Sequence, residues 1–237
     1  MQNRADEPIE RYRIRDYFLS ALFPMRCHLC DERFNPTFES GESVFFGEEP
    51  IRSTLCLDCT GVLSDLYHPR ERLVNENTVY RYLFDYNEET VQKLIFHIKF
   101  RNCPACHAFV GNIAAFAIQS RFPDAQAVIG IPRSVPLMKK YGFDQTTELL
   151  KQYGKMPQSA PILDILCRDP ILSQEQKGLS ARQRRYNAFR SLRLKKNAVV
   201  PKTVCVLDDV VTTGSTAEAA AYLLRKAGAE RIDFLFL

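Results

Sequence analysis

From about residue 79 onward the apolar positions of this chain switch repeatedly between a period of two and a period near 3.6. Val79 to Tyr86 alternates as a half-buried strand does, and Glu88 to Phe100 places Val91, Leu94, Ile95 and Ile98 on one helical face. Phe109 to Phe122 is apolar nearly all round, the pattern of a buried helix. Ala127 to Ile131 predicts a short apolar strand ending at Pro132, Gln145 to Tyr153 a polar-faced helix, and Ile162 to Cys167 another strand. Val204 to Leu207 is an apolar run without alternation, as in a strand buried on both faces. Ser215 and Glu218 have the spacing of a capping box that opens a helix to about Ala227, ended by Gly228. Arg231 to Leu237 is the last strand. Strands alternating with helices predict an α/β fold with a mainly parallel, doubly wound sheet, whose ligands bind at the carboxyl ends of the strands.

The 237 residues suffice for one substantial domain and a small one, and the pattern divides them as 1–20, a charged extension, 21–76, and 77–237. Tyr12 to Phe23 reads as an amphipathic helix at the first junction. The middle segment carries Cys27-His-Leu-Cys30 and Cys56-Leu-Asp-Cys59, two C-x-x-C pairs with 25 residues between them. Each pair can present two thiolates from a tight knuckle, and two knuckles complete a tetrahedral, closed and therefore structural Zn²⁺ site. The gap is long for a zinc ribbon, which implies an extended loop around Pro36 to Pro50. His28 reads as a bystander. No apolar run approaches the ~20 residues that cross a membrane, and the N-terminus lacks a signal-peptide core. The expectation is a cytoplasmic protein with no membrane insertion.

A third pair, Cys103-Pro-Ala-Cys106, precedes His107 and so spells the c-type haem pattern, with a redox pair, a second metal or two incidental cysteines as alternatives. Cys167 and Cys205 fall in strands and read as small core residues.

The chemistry concentrates in Val204-Cys-Val-Leu-Asp-Asp-Val-Val-Thr-Thr-Gly-Ser-Thr216. Asp208 and Asp209 stand where a strand ends, able to accept hydrogen bonds from paired hydroxyls or to help hold a divalent cation. Thr212, Thr213, Gly214, Ser215 and Thr216 offer hydroxyls and closely spaced N–H groups ahead of a helix N-terminus, a natural phosphate cradle. The run resembles the PRPP loop of type I phosphoribosyltransferases. That resemblance implies ribose hydroxyls on Asp208 and Asp209, the 5′-phosphate on 212–216, and Mg²⁺ accompanying the substrate.

Together, the two knuckles and this loop resemble the ComF family, which joins a four-cysteine zinc finger to a phosphoribosyltransferase domain. The resemblance covers about residues 21–237. Tyr82 to Phe100 resembles a family segment ending in Lys99-Phe100, and Ile131-Pro-Arg-Ser134 resembles the pyrophosphate loop, which implies ligand roles for Lys99, Arg133 and Ser134. Arg168 to Phe189 resembles a family segment through Gln176, Leu179, Arg182, Arg185, Asn187 and Phe189. Tyr141-Gly-Phe-Asp-Gln145 resembles the family's Arg-Gly-Phe-Asn-Gln, with Tyr141 in place of arginine and Asp144 in place of asparagine. The first departure removes an anion contact and the second adds a negative charge.

Net charge is only +4, yet 177–207 holds nine basic residues and no acidic one. Gln176, Arg182, Arg184 and Arg185 could form a hood over a phosphorylated substrate. With Tyr186 and Phe189 interleaved, the same run suits single-stranded nucleic acid. Two functions follow from the resemblance: transfer of ribose 5-phosphate from PRPP to an acceptor, or a non-catalytic competence accessory protein that binds single-stranded DNA or competence-machinery partners.

Overall fold

The computed structural model describes residues 25–34, 44–46, 49–51, 55–155, 159–172 and 180–237. The N-terminal extension, the Tyr12–Phe23 segment and Gln176 lie outside the described residues.

Two short antiparallel pairs come first, β1 (Met25–Arg26) with β2 (Arg33–Phe34) and β3 (Val44–Phe46) with β4 (Glu49–Ile51), followed by helix α1 (Leu57–Asp65). The central sheet is built from β5 (Tyr67–Asn75), β6 (Thr78–Phe84), β7 (Ala127–Gly130), β10 (Thr203–Asp208) and β11 (Arg231–Phe236) in the order β5-β6-β11-β10-β7. β5 runs antiparallel to β6 and every other pairing is parallel. Between these strands lie α2 (Glu89–Phe100), α3 (Pro104–Arg121), α4 (Val135–Tyr141), α5 (Gln145–Tyr153), α6 (Ala181–Ser191) and α7 (Ser215–Lys226). A small antiparallel pair, β8 (Leu166–Arg168) with β9 (Leu192–Leu194), brackets α6. The sheet is the mixed α/β, parallel-rich one the alternation predicts.

Side chains of the sheet alternate between two apolar cores, as the period of two requires. Cys205, Leu207, Leu235 and Val128 face one, with Val91, Leu94, Ile95 and Ile98 of α2, Phe109 and Ile113 of α3, and Leu149 and Tyr153 of α5. Val204, Val206, Ile232, Phe234, Phe236 and Ile129 face the other, against Ala217, Ala220 and Leu224 of α7 and Ala188 of α6. Truncating a side chain such as Leu94 or Ile98 to alanine would cost about 2–5 kcal/mol. Cys27, Phe34, Leu55, Cys56 and Leu63 belong to the first core too, so the cysteine module and the sheet share one interior. β5 also joins the sheet from upstream of residue 77, pairing Leu73 with Val79 across the turn.

Three local expectations are corrected. The helix expected from Phe109 begins five residues earlier, because Cys103 caps it and Pro104 supplies the preset φ of a first helical position. The strand expected over Ile162–Cys167 shrinks to β8, with Ile162 making only an isolated parallel bridge to Val128. Ser215 and Glu218 form no capping box: Gly214 is the N-cap, at φ 72°, Ser215 is the first helical residue, and Glu218 pairs with Arg185. β5, α4 and β9 carried no periodicity that predicted them. The segment expected as one long loop holds the β3–β4 hairpin.

Candidate phosphate and metal sites

β10 is flanked on both sides by parallel neighbours, with Asp208 opposite Phe236 and Leu207 opposite Gly130. The chain therefore leaves the sheet at its carboxyl edge next to the ends of β11 and β7. Asp208 turns its Oδ1 back to the N–H of Asp209 (2.9 Å), and Asp209 Oδ1 accepts the N–H of Val210 (2.5 Å). The N–H of Leu237 bonds to the carbonyl of Asp209 at 2.9 Å and anchors the exit. Asp209 is buried, and its Oδ2 accepts hydrogen bonds from Lys99 Nζ (3.0 Å) and Gln145 Nε2 (2.8 Å). Gln145 Oε1 is buried without a partner.

Electrostatics follow from this crowding. Burial and the neighbouring Asp209 charge push the Asp208 carboxyl up to about 7, with Lys99 and Arg168 opposing. Burial pulls the Lys99 amine down, but Asp209 and Asp208 more than offset it and its pKa is raised. Arg168 is held by the carbonyl of Pro132 (Nε, 3.1 Å) and Ser191 Oγ (3.1 Å); burial lowers its pKa while Asp208, Asp144 and Asp209 raise it. Two carboxylates and two cations thus share one partly dry edge.

Beyond the acids, Val210 and Val211 are half-buried, whereas Thr212 and Thr213 are exposed. Thr213 Oγ1 and Ser215 Oγ lie 2.8 Å apart. Gly214 adopts the left-handed conformation that a Cβ would disfavour, and no side chain caps α7. The first-turn N–H groups of a helix are anion ligands when no carboxylate or hydroxyl of the chain takes them.

The turn after β7 is built from within. A Cβ on Gly130 would approach Leu150 Cδ1 to 2.8 Å and Thr146 Cγ2 to 2.9 Å, so α5 packs directly on the end of the strand. Asp144 caps α5 through Oδ1, which accepts the N–H groups of Thr146 (2.9 Å) and Thr147 (3.1 Å). Its Oδ2 accepts the N–H of Arg133 at 2.6 Å. The negative charge that Asp144 adds is therefore matched by three backbone donors. Arg133 is only 6% exposed; its guanidinium donates to the carbonyls of Phe143 (3.2 Å) and Lys99 (2.5 Å) and lies 4.7 Å from the Tyr141 ring centroid and 4.9 Å from that of Phe143. Tyr141 supplies a ring face to this cation in place of a second positive charge. Ser134 is the N-cap of α4 and makes no side-chain cap bond.

The basic run forms α6. Ser180 and Gln183 close a capping box at its start, so the helix is in place by Ala181. Arg185 pairs with Glu218 at 2.5 Å and lies over Phe189, whose ring meets Tyr222 of α7. Arg182 and Tyr186 are exposed. Gln145 and Arg168 had no site role assigned from sequence. The available signals were a glutamine directly after a helix cap and an arginine closing an otherwise apolar strand.

The four cysteines converge. Cys27 and Cys30 lie on the β1–β2 knuckle, where Asp31 takes φ 62°, and Cys56 and Cys59 lie at the cap and first turn of α1. All four sulfurs are within 4.8 Å of one another, and Cys30 Sγ lies 3.6 Å from Cys56 Sγ. Thiolates about 2.3 Å from a tetrahedral ion stand about 3.8 Å apart, so the arrangement could hold a metal such as zinc. Burial and neighbouring sulfurs push the Cys56 thiol up to about 11 and Cys59 up as well. For Cys27, backbone N–H groups of Cys56, Cys30 and Leu29 outweigh burial and lower the pKa. His28 stays outside the group, its ring 6.3 Å from that of His97. Cys205 is buried and Cys167 half-buried in their strands. Among the described residues no helix is long and apolar enough to cross a membrane.

No protein-family model matches the chain. Competence protein F of Haemophilus influenzae is 36% identical over 111 residues, which is 46% of this chain and 48% of that protein, so the match spans about half of each. Among solved structures, the glutamine phosphoribosylpyrophosphate amidotransferase of B. subtilis is similar with a TM-score of 0.40, 17% identity, and coverage of 60% of this chain and 30% of that one. An adenine phosphoribosyltransferase from Leishmania tarentolae has a TM-score of 0.39 and 12% identity over 70% of this chain and 94% of that one. The chain, with its parallel-rich α/β sheet and four-cysteine cluster, is thus similar to competence protein F over about half of its length.

Proposed function

We propose that the chain binds PRPP with Mg²⁺ at the carboxyl edge of β10, and transfers ribose 5-phosphate from it to an acceptor with release of pyrophosphate. The observation that carries this reading is the arrangement around Asp208 and Asp209. Two adjacent carboxylates end a central parallel strand, two cations and an amide face them, and a hydroxyl-rich loop leads to a helix N-terminus without a side-chain cap. Asp208 and Asp209 accept the ribose hydroxyls, and 212–216 takes the 5′-phosphate. Lys99 and Arg168 oppose the rise in the Asp208 pKa and balance the charge that develops as pyrophosphate leaves. Mg²⁺, when bound, neutralises the leaving group. Ser134 and the 131–134 turn face the pyrophosphate; Arg133 acts by holding that turn in place, since its own guanidinium is engaged by two carbonyls. The cover over the bound substrate is assigned to Arg182, Arg184 and Arg185 of α6. Zn²⁺ in the four-cysteine cluster is structural, and the protein works in the cytoplasm.

Calorimetric titration of PRPP with Mg²⁺ tests the proposal. Wild type should bind, and the Asp208→Asn/Asp209→Asn double variant should not. Failure of the folded, metal-replete wild type to bind would overturn the reading.

A second reading rests on α6, where Tyr186 is 61% exposed with Arg190 stacked 5.1 Å from its ring centroid. A base could stack there while the arginines follow a strand's phosphates, in keeping with the competence name of the relative. Neutralising Arg182, Arg184 and Arg185 together should then flatten the salt dependence of single-stranded DNA binding. An unchanged slope would remove this groove.

A further inference from the structure

We propose that Cys103 and Cys106 form a dithiol–disulfide couple, a covalent modification site distinct from the four-cysteine metal cluster. Both residues are buried, at 3% and 0% exposure, and their sulfurs lie 2.8 Å apart at the start of α3. Neither belongs to the group of four convergent thiols. The local backbone is arranged around the pair. Cys103 is the N-cap of α3, and its Sγ accepts the N–H of Cys106 at 3.2 Å. Pro104 stands between them at the first helical position, and Asn102 ahead of them takes φ 46°, so the turn that presents Cys103 is set before any oxidation. Residues three apart in a first helical turn bring their sulfurs within bonding reach without moving the helix.

Reactivity has a physical cause as well. A thiol at a helix N-terminus beside a second thiol is stabilised as thiolate. Cys103 is lowered to about 6, first by the hydrogen bond from Cys106 and then by backbone N–H groups against the opposing effect of burial. Cys106 is pushed up by that same hydrogen bond and by burial, so one sulfur is the nucleophile and the other keeps its proton. Arg101, Asn102 and Pro104 are exposed immediately around Cys103, which gives a small reagent a short path.

The oxidant is a small hydroperoxide. The Cys103 thiolate attacks the peroxide oxygen and the O–O bond breaks. This leaves Cys103 sulfenic acid and hydroxide, which takes up a proton as water. Cys106 sulfur then attacks the Cys103 sulfur, the S–O bond breaks, and a second water leaves carrying the Cys106 proton. Two thiols and one hydrogen peroxide thus give one disulfide and two waters. Both electrons go to the peroxide.

The experiment exposes the full, metal-replete chain to hydrogen peroxide, alkylates it after denaturation, and maps every cysteine by mass spectrometry while metal content is followed. The expected product is a Cys103–Cys106 disulfide that dithiothreitol reverses, with metal retained. Cys205 is as buried as Cys106 but stands alone in β10, which makes it the internal control for burial. Cys103 should react at least about tenfold faster than Cys205. In Cys106→Ser the oxidation of Cys103 should stop at a sulfenic acid that dimedone traps. Persistence of both thiols, a disulfide joining either of them to Cys27, Cys30, Cys56 or Cys59, metal release in step with oxidation, or reaction no faster than at Cys205 would each overturn the proposal. None of these readouts depends on PRPP binding.

Discussion

The four thiols of the knuckle and α1 and the two carboxylates at the end of β10 are both clusters of like ligating groups, but the protein surrounds them differently. Asp208 and Asp209 have Lys99, Arg168 and the Gln145 amide beside them. The thiols lean on backbone N–H groups and on one another, and Cys56 and Cys59 resist ionising there. A cluster with its own counter-charges folds whether or not a ligand is present, and can exchange that ligand. A cluster without them needs a cation to become four thiolates, and that cation becomes part of the fold. The difference is the one expected between a site that exchanges its ligand and a site whose metal is part of the fold.

Removing thiolates should therefore have the largest effect. Cys27→Ser/Cys56→Ser should take the chain from one zinc to none, and should destabilise the interior that Cys27 and Cys56 share with α2 and α3 by several kcal/mol. Metal analysis and a thermal melt read both. Full metal content in that variant would refute the ligand set. Asp208→Asn/Asp209→Asn should behave in the opposite way. PRPP affinity should fall more than about 100-fold, a change of about 2.7 kcal/mol, with the melting temperature changed far less than by loss of the thiolates, because relief of the like-charge pair offsets the lost Lys99 ion pair. A double variant that unfolds would erase the contrast between the two clusters.

The second turn at the sheet edge sharpens the comparison. Asp144→Ala removes a helix cap and leaves the Arg133 N–H without its acceptor, so stability should drop by about 1–2 kcal/mol. PRPP affinity should fall less than about tenfold, since this carboxylate serves the turn and not the substrate. Asp144→Asn should keep the cap but set an amide or a misplaced oxygen against Arg133, and so lie between the two. Loss of binding at unchanged stability would make Asp144 a ligand.

These contrasts were unequally legible in the sequence. Cysteine spacing and the Asp-Asp-Val-Val-Thr-Thr-Gly-Ser run mark both clusters, because each packs its ligating groups into a few consecutive residues. The parallel sheet was legible for the same local reason, as apolar runs of strand length between helical periods. What escaped was long-range pairing. Lys99 reaches Asp209 from α2, Gln145 reaches it from α5, and Arg168 is held by Pro132 and Ser191, partners set by tertiary packing. The three N–H partners of Asp144 are likewise invisible until the 131–134 turn and α5 meet. β5 escaped because it lies at the sheet edge, exposed along nearly its whole length and so without an apolar period.

The most diagnostic effect is a pH dependence carried by Asp208. Its folded pKa stands near 7, against an ordinary value of 3.8, from burial and the Asp209 charge. Below the ordinary value both folded and unfolded chains hold the proton, and its contribution to stability is fully present. As pH rises the unfolded chain releases the proton first, so that contribution declines and is lost as pH passes through about 7. Binding of Mg²⁺ and PRPP requires the ionised carboxylate and should strengthen over the same rise. Stability and affinity should move in opposite directions across one titration. Urea melts and PRPP titrations at about pH 5 and about pH 8 compare them, with Asp208→Asn removing this group's part of the stability slope. Parallel trends would show that Asp208 ionises as a surface carboxylate does, and that its cations and neighbours leave it no different from any exposed acid.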